Sequence, residues 1–243
     1  MELDITRLAD NPSLWPVWEE LDGFWPAFMS QDPTGGLYYG YIRDHFAAHC
    51  LLAVDRSSGR AVAKGHSVPL AHTDDLAALP DDGWDWAIRR SAHTRLSGTT
   101  PTIASALEIM IRPDLRGGGL SAIMLGAMRD NVAELGFRDL IAPVRPTGRS
   151  GPIREYAFST RPDGLPVDPW LRVHVRAGGR IVNVAHRSMV MTGRLEQWRE
   201  WTGLPFDTDG PVDVPSALAP VHVSLAEDVA VYVEPNVWVH HRL

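Results

Sequence analysis

Over residues 105–144 the apolar positions change period twice, marking out a strand, a turn, a helix and a second strand. Ala106-Leu107-Glu108-Ile109-Met110-Ile111 is an apolar run of strand length. It is closed by Arg112-Pro113-Asp114, because Pro113 has no N–H to give a sheet ladder. Beyond it, Leu120, Ile123, Met124, Ala127, Met128 and Leu135 fall on one stripe at helical spacing. Gly136 supplies the C-terminal stop, and residues 137–144 read as the next strand.

The same patterning organises the remainder. Residues 50–54 and 60–66 are apolar runs about the turn Asp55-Arg56-Ser57-Ser58-Gly59, which predicts a hairpin. Asp168 as N-cap, Pro169 at the first helical position and Gly178-Gly179 at the end predict a short helix, followed by a strand over 180–184. Strand-like runs at 188–191, 221–223 and 229–233 surround a helix near 196–202, and are expected to complete the same sheet. Residues 72–100 and 145–167, rich in Asp, Pro, Gly and Arg, read as surface excursions.

The turn Arg116-Gly117-Gly118-Gly119-Leu120-Ser121 sits between the strand and the helix. Its glycines allow close backbone approach to a ligand, and the first N–H groups of the helix favour an anion. No Lys-Ser or Lys-Thr follows them, as a mononucleotide P-loop requires, and the third glycine of a dinucleotide fingerprint is missing. Arg116, Gly119 and Ser121 instead match Arg/Gln-x-x-Gly-x-Gly/Ala, with Ser121 a small departure. This resembles motif A of the GNAT-fold N-acetyltransferase superfamily, and the likeness runs in order over about residues 45–190.

The resemblance implies an α/β fold: a mixed, mostly antiparallel central sheet flanked by helices, here with an enlarged C-terminal part. The whole chain, 1–243, is expected to be one domain, with N-terminal helices over 1–48, the hairpin, insertion and motif A over 49–144, and a loop, short helix and further strands over 145–243. Acetyl-CoA or another acyl-CoA is the implied donor. Arg116, Gly117, Gly118, Gly119, Leu120 and Ser121 would hold its pyrophosphate. The strand before the turn is implied to splay from the one after it, so that the backbone of Met110, Ile111 and Arg112 bonds the pantetheine arm. A small-molecule amine is the implied acceptor.

Composition narrows the setting. The 243 residues suffice for one full core, and a net charge of −7 with pI near 5.8 argues against nucleic acid as the main partner. No apolar stretch approaches membrane-spanning length, and charges at Glu2, Asp4, Arg7 and Asp10 do not read as a signal peptide. The single cysteine, Cys50, excludes an internal disulfide, suits a cytoplasmic setting and reads as a small core residue. The ten histidines include no His-Glu-x-x-His, so no metal is expected, and no Gly-x-Ser-x-Gly nucleophile turn occurs.

Three residues stand out as catalytic candidates. Acyl transfer to an amine needs a base for the ammonium and an acid for the leaving thiolate. The resemblance implies an acid four residues before the glycine that closes the short helix; here that position is His174, which either relays a proton or is a satisfied helix-face histidine. Glu108, mid-strand among apolar neighbours, is either a base whose pKa burial raises or a partner for an arginine across the sheet. Tyr156 is a substitute acid from the loop. Tyr38, Tyr39 and Tyr41 read as packing of the N-terminal helices rather than a substrate wall. Trp170-Leu171-Arg172 and Glu234-Pro235-Asn236-Val237-Trp238 read as packing or as acceptor walls. With no credible covalent nucleophile, transfer is expected to be direct. The alternatives left open are a carrier-protein donor met by Arg145, Arg149, Arg154 and Arg161, thioester hydrolysis or decarboxylation, and a non-catalytic acyl-CoA module. An exposed edge strand leaves room for a homodimer.

Overall fold

The computed structural model describes residues 2–149 and 151–243. The chain opens on a strand, β1 (Leu3–Arg7), not a helix, and β1 pairs antiparallel with β2 (Cys50–Asp55). Between them lie α1 (Trp15–Glu19) and α2 (Pro33–His45), joined by single helical turns. The hairpin partner of β2 is β3 (Ala61–Leu70), and its turn is tied by Ser57 and Ser58 hydroxyls donating to Asp55.

Residues 72–100 depart from the expected excursion. They contain α3 (Gly83–Leu96), a four-turn helix that buries Ala87, Ile88, Ser91, Ala92 and Thr94. Gly83 lets it press in, since a Cβ there would lie 2.2 Å from Ser188 Oγ. The next elements follow the predicted order: β4 (Ile103–Ile111), the glycine turn, α4 (Leu120–Glu134) and β5 (Asp139–Val144). α4 buries Leu120, Met124, Leu125, Met128 and Val132, while Ile123 lies off the buried face at 48% exposure. Then come α5 (Ile153–Phe158), α6 (Pro169–Arg176), β6 (Arg180–Gly193), α7 (Leu195–Thr202), β7 (Gly210–Val212), β8 (Val221–Ser224) and β9 (Val229–Arg242).

Nine strands form one mixed, mostly antiparallel sheet in the order β1-β2-β3-β4-β5-β9-β8-β7, with β6 along the other edge of β9. The C-terminal strands thus join the same sheet. β9 meets β5 through Val237–Arg242 and β8 through Val229–Val231, leaving residues 232–236 without a partner on that edge. One apolar cluster packs α4, α5 and α6 on one face, and a second packs the α1–α3 layer on the other. A third, around Trp198, Phe206 and Tyr232, closes the C-terminal part.

The central feature is a parting of strands. β4 and β5 are parallel neighbours only at Ala104–Ser105 opposite Leu140–Ile141, after which they diverge. From Ala106 to Ile111, β4 keeps only β3 as a ladder partner, with a bulge at Leu107. The separation opens towards the C-terminal ends of both strands, where the glycine turn lies.

Candidate active site

The gap between β4 and β5 is the floor of a cleft of about 1300 Å³. Its walls are the segment 22–40, the glycine turn, the loop after β5, α6 and the inner part of β9. Backbone geometry decides which β4 groups face it. The Arg112 N–H donates to Val62 O at 3.0 Å and its carbonyl accepts from Leu115, so Arg112 has no free backbone group for a pantetheine arm. Alternation along an antiparallel ladder then turns Met110 to β3 and leaves Ile109 and Ile111 facing the gap. This revises the expected set Met110, Ile111 and Arg112 by one register. The Arg112 side chain is structural too, with Nε donating to Ala61 O at 2.5 Å.

At the mouth, Gly117 and Gly119 hold φ of +84° and +83° in the left-handed region, with open space where a Cβ would stand. No side chain caps α4; the Ala122 and Ile123 N–H groups donate to Gly119 O, and those of Leu120 and Ser121 are left for a ligand. Arg116, Gly117, Gly119, Leu120 and Ser121 line the cleft, while Gly118 is not among its lining residues.

Glu108 lies at the floor, within a buried polar cluster built by β3 and the N-terminal segment. Its Oε1 accepts from Trp25 Nε1 at 2.5 Å and its Oε2 from Tyr39 OH at 2.8 Å. Lys64 Nζ and His66 Nδ1 each lie 3.4 Å from Oε2. Lys64 and His66 are fully buried, and Lys64 also pairs with Asp22 and sits 3.7 Å above the Trp18 ring. Burial pushes the Glu108 carboxyl up, but the His66 hydrogen bond and the Lys64 charge outweigh it and hold it at about 2. The expected upward displacement is therefore reversed, and the partners are a lysine and a histidine rather than an arginine. Burial and the Glu108 charge push the Tyr39 phenol well above the usual tyrosine range, so it stays a donor. Of the three tyrosines, Tyr39 thus belongs to the site.

The other two catalytic candidates are engaged in contacts around α6. His174 is buried on α6, its Nδ1 2.9 Å from His241 Nε2 and its ring packed at 4.4 Å on Trp170. Burial and the neighbouring His241 lower its pKa well below the ordinary value, so it lines the cleft as a neutral ring. Gly179 is required beneath this pair, because a Cβ there would lie 2.6 Å from His241 Cε1. Tyr156 lies outside the cleft lining: its hydroxyl donates to Asp168 Oδ2 at 3.1 Å, and burial pushes it up to about 12. Asp168 caps α6 through the Trp170 and Leu171 amides, each at 2.9 Å. Cys50 is buried, its thiol pushed up to about 12 by burial, and is inert as a nucleophile.

The aromatic-polar segments divide between the two roles. Trp170, Arg172, Glu234 and Asn236 line the cleft, while Leu171, Val237 and Trp238 are core. Glu234 pairs with Arg145 Nε at 2.5 Å and accepts from Tyr232, filling the unpaired edge of β9. Of the four arginines on the loop, Arg145 and Arg149 reach the cleft, Arg145 also donating to the Ser216 carbonyl and Arg149 to that of Leu218. The charges of the cleft come from different elements: Arg116, Arg145, Arg149, Arg172 and Arg176 from the turn, the loop after β5 and α6, Asp22, Asp32 and Glu108 from the N-terminal segment and β4, and Glu234, paired with Arg145, from β9.

No protein-family profile matches the chain. A curated relative, the arginine N-acetyltransferase avaD of Aspergillus versicolor, is 32% identical over 253 aligned positions, which cover 92% of this chain and 87% of that protein. Among solved structures, the loading GNATL domain of CurA from Lyngbya majuscula superposes with a TM-score of 0.63 at 15% identity, covering 100% of this chain and 98% of that one. A GphF GNAT-like decarboxylase in complex with isobutyryl-CoA gives 0.50 at 16% identity, over 100% and 99%. At such identities these two structures speak for the fold alone.

Proposed function

This chain belongs to the GNAT-fold N-acetyltransferase superfamily, and we propose that it moves an acetyl group from acetyl-CoA directly onto an amine of a small molecule, with arginine the first candidate acceptor. The observation that carries this reading is the parting of β4 from β5 above a glycine turn that leaves the Leu120 and Ser121 amides unused. The pyrophosphate rests on residues 116–121, beside the arginines. The pantetheine arm enters the gap along Ile109 and Ile111, which brings the thioester to the Glu108 end. Holding thioester and amine together supplies most of the rate.

The amine arrives as an ammonium and binds beside the Glu108 carboxylate. Glu108 is too weak a base to keep the proton, so it passes it to His66 behind, whose Nδ1 lies 3.4 Å from Oε2. The freed nitrogen attacks the thioester carbonyl, the C–N bond forms, the C–S bond breaks, and the nitrogen's second proton goes to the departing thiolate, which leaves as the CoA thiol. His174 and Tyr156 act by holding α6. An arginine acceptor is supported by the relative's named substrate and by the acidic side chains of the cleft. A cytoplasmic location accords with a single, buried cysteine; among the described residues no helix is long and apolar enough to cross a membrane. Carrier-protein delivery draws less support, because Arg161 pairs with Asp163 and Arg154 lies over Phe158, away from the cleft.

The test is incubation with acetyl-CoA and a panel of amines, following free thiol and product mass. Thiol release that depends on the amine, with one acetyl added to it, supports the reading. Thiol release without an acetylated amine would identify a hydrolase and overturn it.

A further inference from the structure

One pair of buried acids has no role in the scheme above. Asp32, 3% exposed, is the N-cap of α2 and lines the cleft. Its Oδ2 accepts the Gly35 N–H, but its Oδ1 is buried without a partner. Behind it Asp85, on α3, is 8% exposed; its Oδ1 meets no donor from the rest of the protein, and its carboxyl is close enough to Asp32 for the two to share a proton. Burial and the Asp32 charge push Asp85 up to about 7. Arg89, the nearest cation, pairs with Asp82 and donates to the Asp85 carbonyl instead. Among the described residues neither carboxylate has an ion-pair partner. A buried carboxylate oxygen with no donor is costly, and such atoms mark a place where something else binds.

The surroundings fit a flat cation. Gly35 leaves the carboxylate open, since a Cβ there would stand 3.2 Å from Asp32 Oδ2. Trp84 stands at the same place, 3.6 Å from where that Cβ would be, and aromatic faces attract guanidinium and ammonium groups. Asp32 and Tyr39, which bonds Glu108, are both at the cleft wall and seven residues apart along α2, roughly 10 Å at the helical rise. A molecule with two nitrogens can therefore reach both ends.

We propose that Asp32, backed by Asp85, is the specificity site for a second cationic group on the acceptor, a guanidinium or ammonium distinct from the nitrogen that is acylated. This rests on the acyl-transfer reading for the reacting end, but the cation site can be tested apart from it. Asp32→Asn keeps an N-cap residue on α2 and removes the charge. Asp85→Asn is the second variant, with thermal melts as the folding control for both.

The probes are L-arginine and its neutral isostere L-citrulline, compared by calorimetric binding to the CoA-loaded protein and by kcat/KM. Wild type should prefer arginine, and Asp32→Asn should cut that preference roughly tenfold to a hundredfold, as for loss of a charged hydrogen bond. The KM for acetyl-CoA should stay within about twofold, because the donor lies at the other end of the cleft. Asp85→Asn should cut the preference less. Equal handling of the two probes by wild type, or an unchanged preference in Asp32→Asn, overturns the site while leaving acyl transfer standing. Selective arginine binding lost in Asp32→Asn, without any acetylated product, keeps the site and sinks the transfer reading.

Discussion

Glu108 remains ionised in the core because β3 delivers Lys64 and His66 opposite it, two positions apart on one face of the strand. Removing one partner of such a cluster leaves an uncompensated charge, so Lys64→Met should destabilise by about 3 kcal/mol. Adding Glu108→Gln should recover part of that loss, and chemical denaturation of the two singles and the double measures the coupling. The folded pKa of Glu108, about 2, lies below its ordinary 4.5. Its stabilisation is therefore complete above pH 4.5 and lost as pH falls towards 2. The acid limb of a stability-against-pH curve should flatten over that window in Glu108→Gln; an unchanged limb would show that Glu108 is not held ionised. The candidate Glu108 was legible as a lone acid in an apolar run. Its partners were not, because Lys64 and His66 were read only as the return strand of a hairpin. Two polar residues at a period of two in an apolar strand were the available signal.

At the scale of elements, punctuation was the reliable guide. The Asp168 cap, Pro169 and the glycine stops placed α6, and Pro113 with the glycines placed the end of β4 and the start of α4. Elements that lack a strong stripe escaped. α3 buries Ala87, Ser91, Ala92 and Thr94, small or polar residues that carry little periodic signal. β1 is a five-residue edge strand that carries the charges of Asp4 and Arg7. The register of β4 was also beyond the sequence, because a bulge at Leu107 fixes which backbone groups face the gap. The turn itself makes a sharp prediction. Gly119 adopts φ +83° with nothing near its missing Cβ, so Gly119→Ala should cost about 1 kcal/mol from backbone strain alone. Any relaxation away from that conformation misdirects the first amides of α4 and should raise the Kd for CoA several-fold by calorimetry. A variant with wild-type CoA affinity would separate the turn from the pyrophosphate.

Across the whole molecule, one sheet carries two functions because it comes apart in its middle. β1–β4 with the N-terminal helices supply Asp22, Asp32, Glu108 and aromatic side chains, while the turn, the loop after β5 and α6 supply the arginines. Gathering acids in this way has a stability consequence at the Asp32–Asp85 pair. Asp85 has a folded pKa of about 7 against an ordinary 3.8, so its penalty is absent below pH 3.8, grows as pH rises and is complete above about 7. Asp85→Asn should thus be more stable than wild type at pH 8, by on the order of 2 kcal/mol, and show no gain at pH 3.5. Denaturation at the two pH values checks the sign. The broad layout of this arrangement, strand-turn-helix followed by a completing C-terminal sheet, was visible in the pattern of apolar residues. The acidic set was not, because it is assembled from residues scattered between 22 and 108 that only folding brings together.

In the proposed reaction, donor and acceptor occupy the two ends of one cleft at once and react without a covalent enzyme intermediate. Initial rates measured while acetyl-CoA and arginine are both varied test it most directly. Intersecting double-reciprocal lines, the signature of a ternary complex, are the predicted result. Parallel lines together with an acetylated protein in the intact mass spectrum would contradict the account.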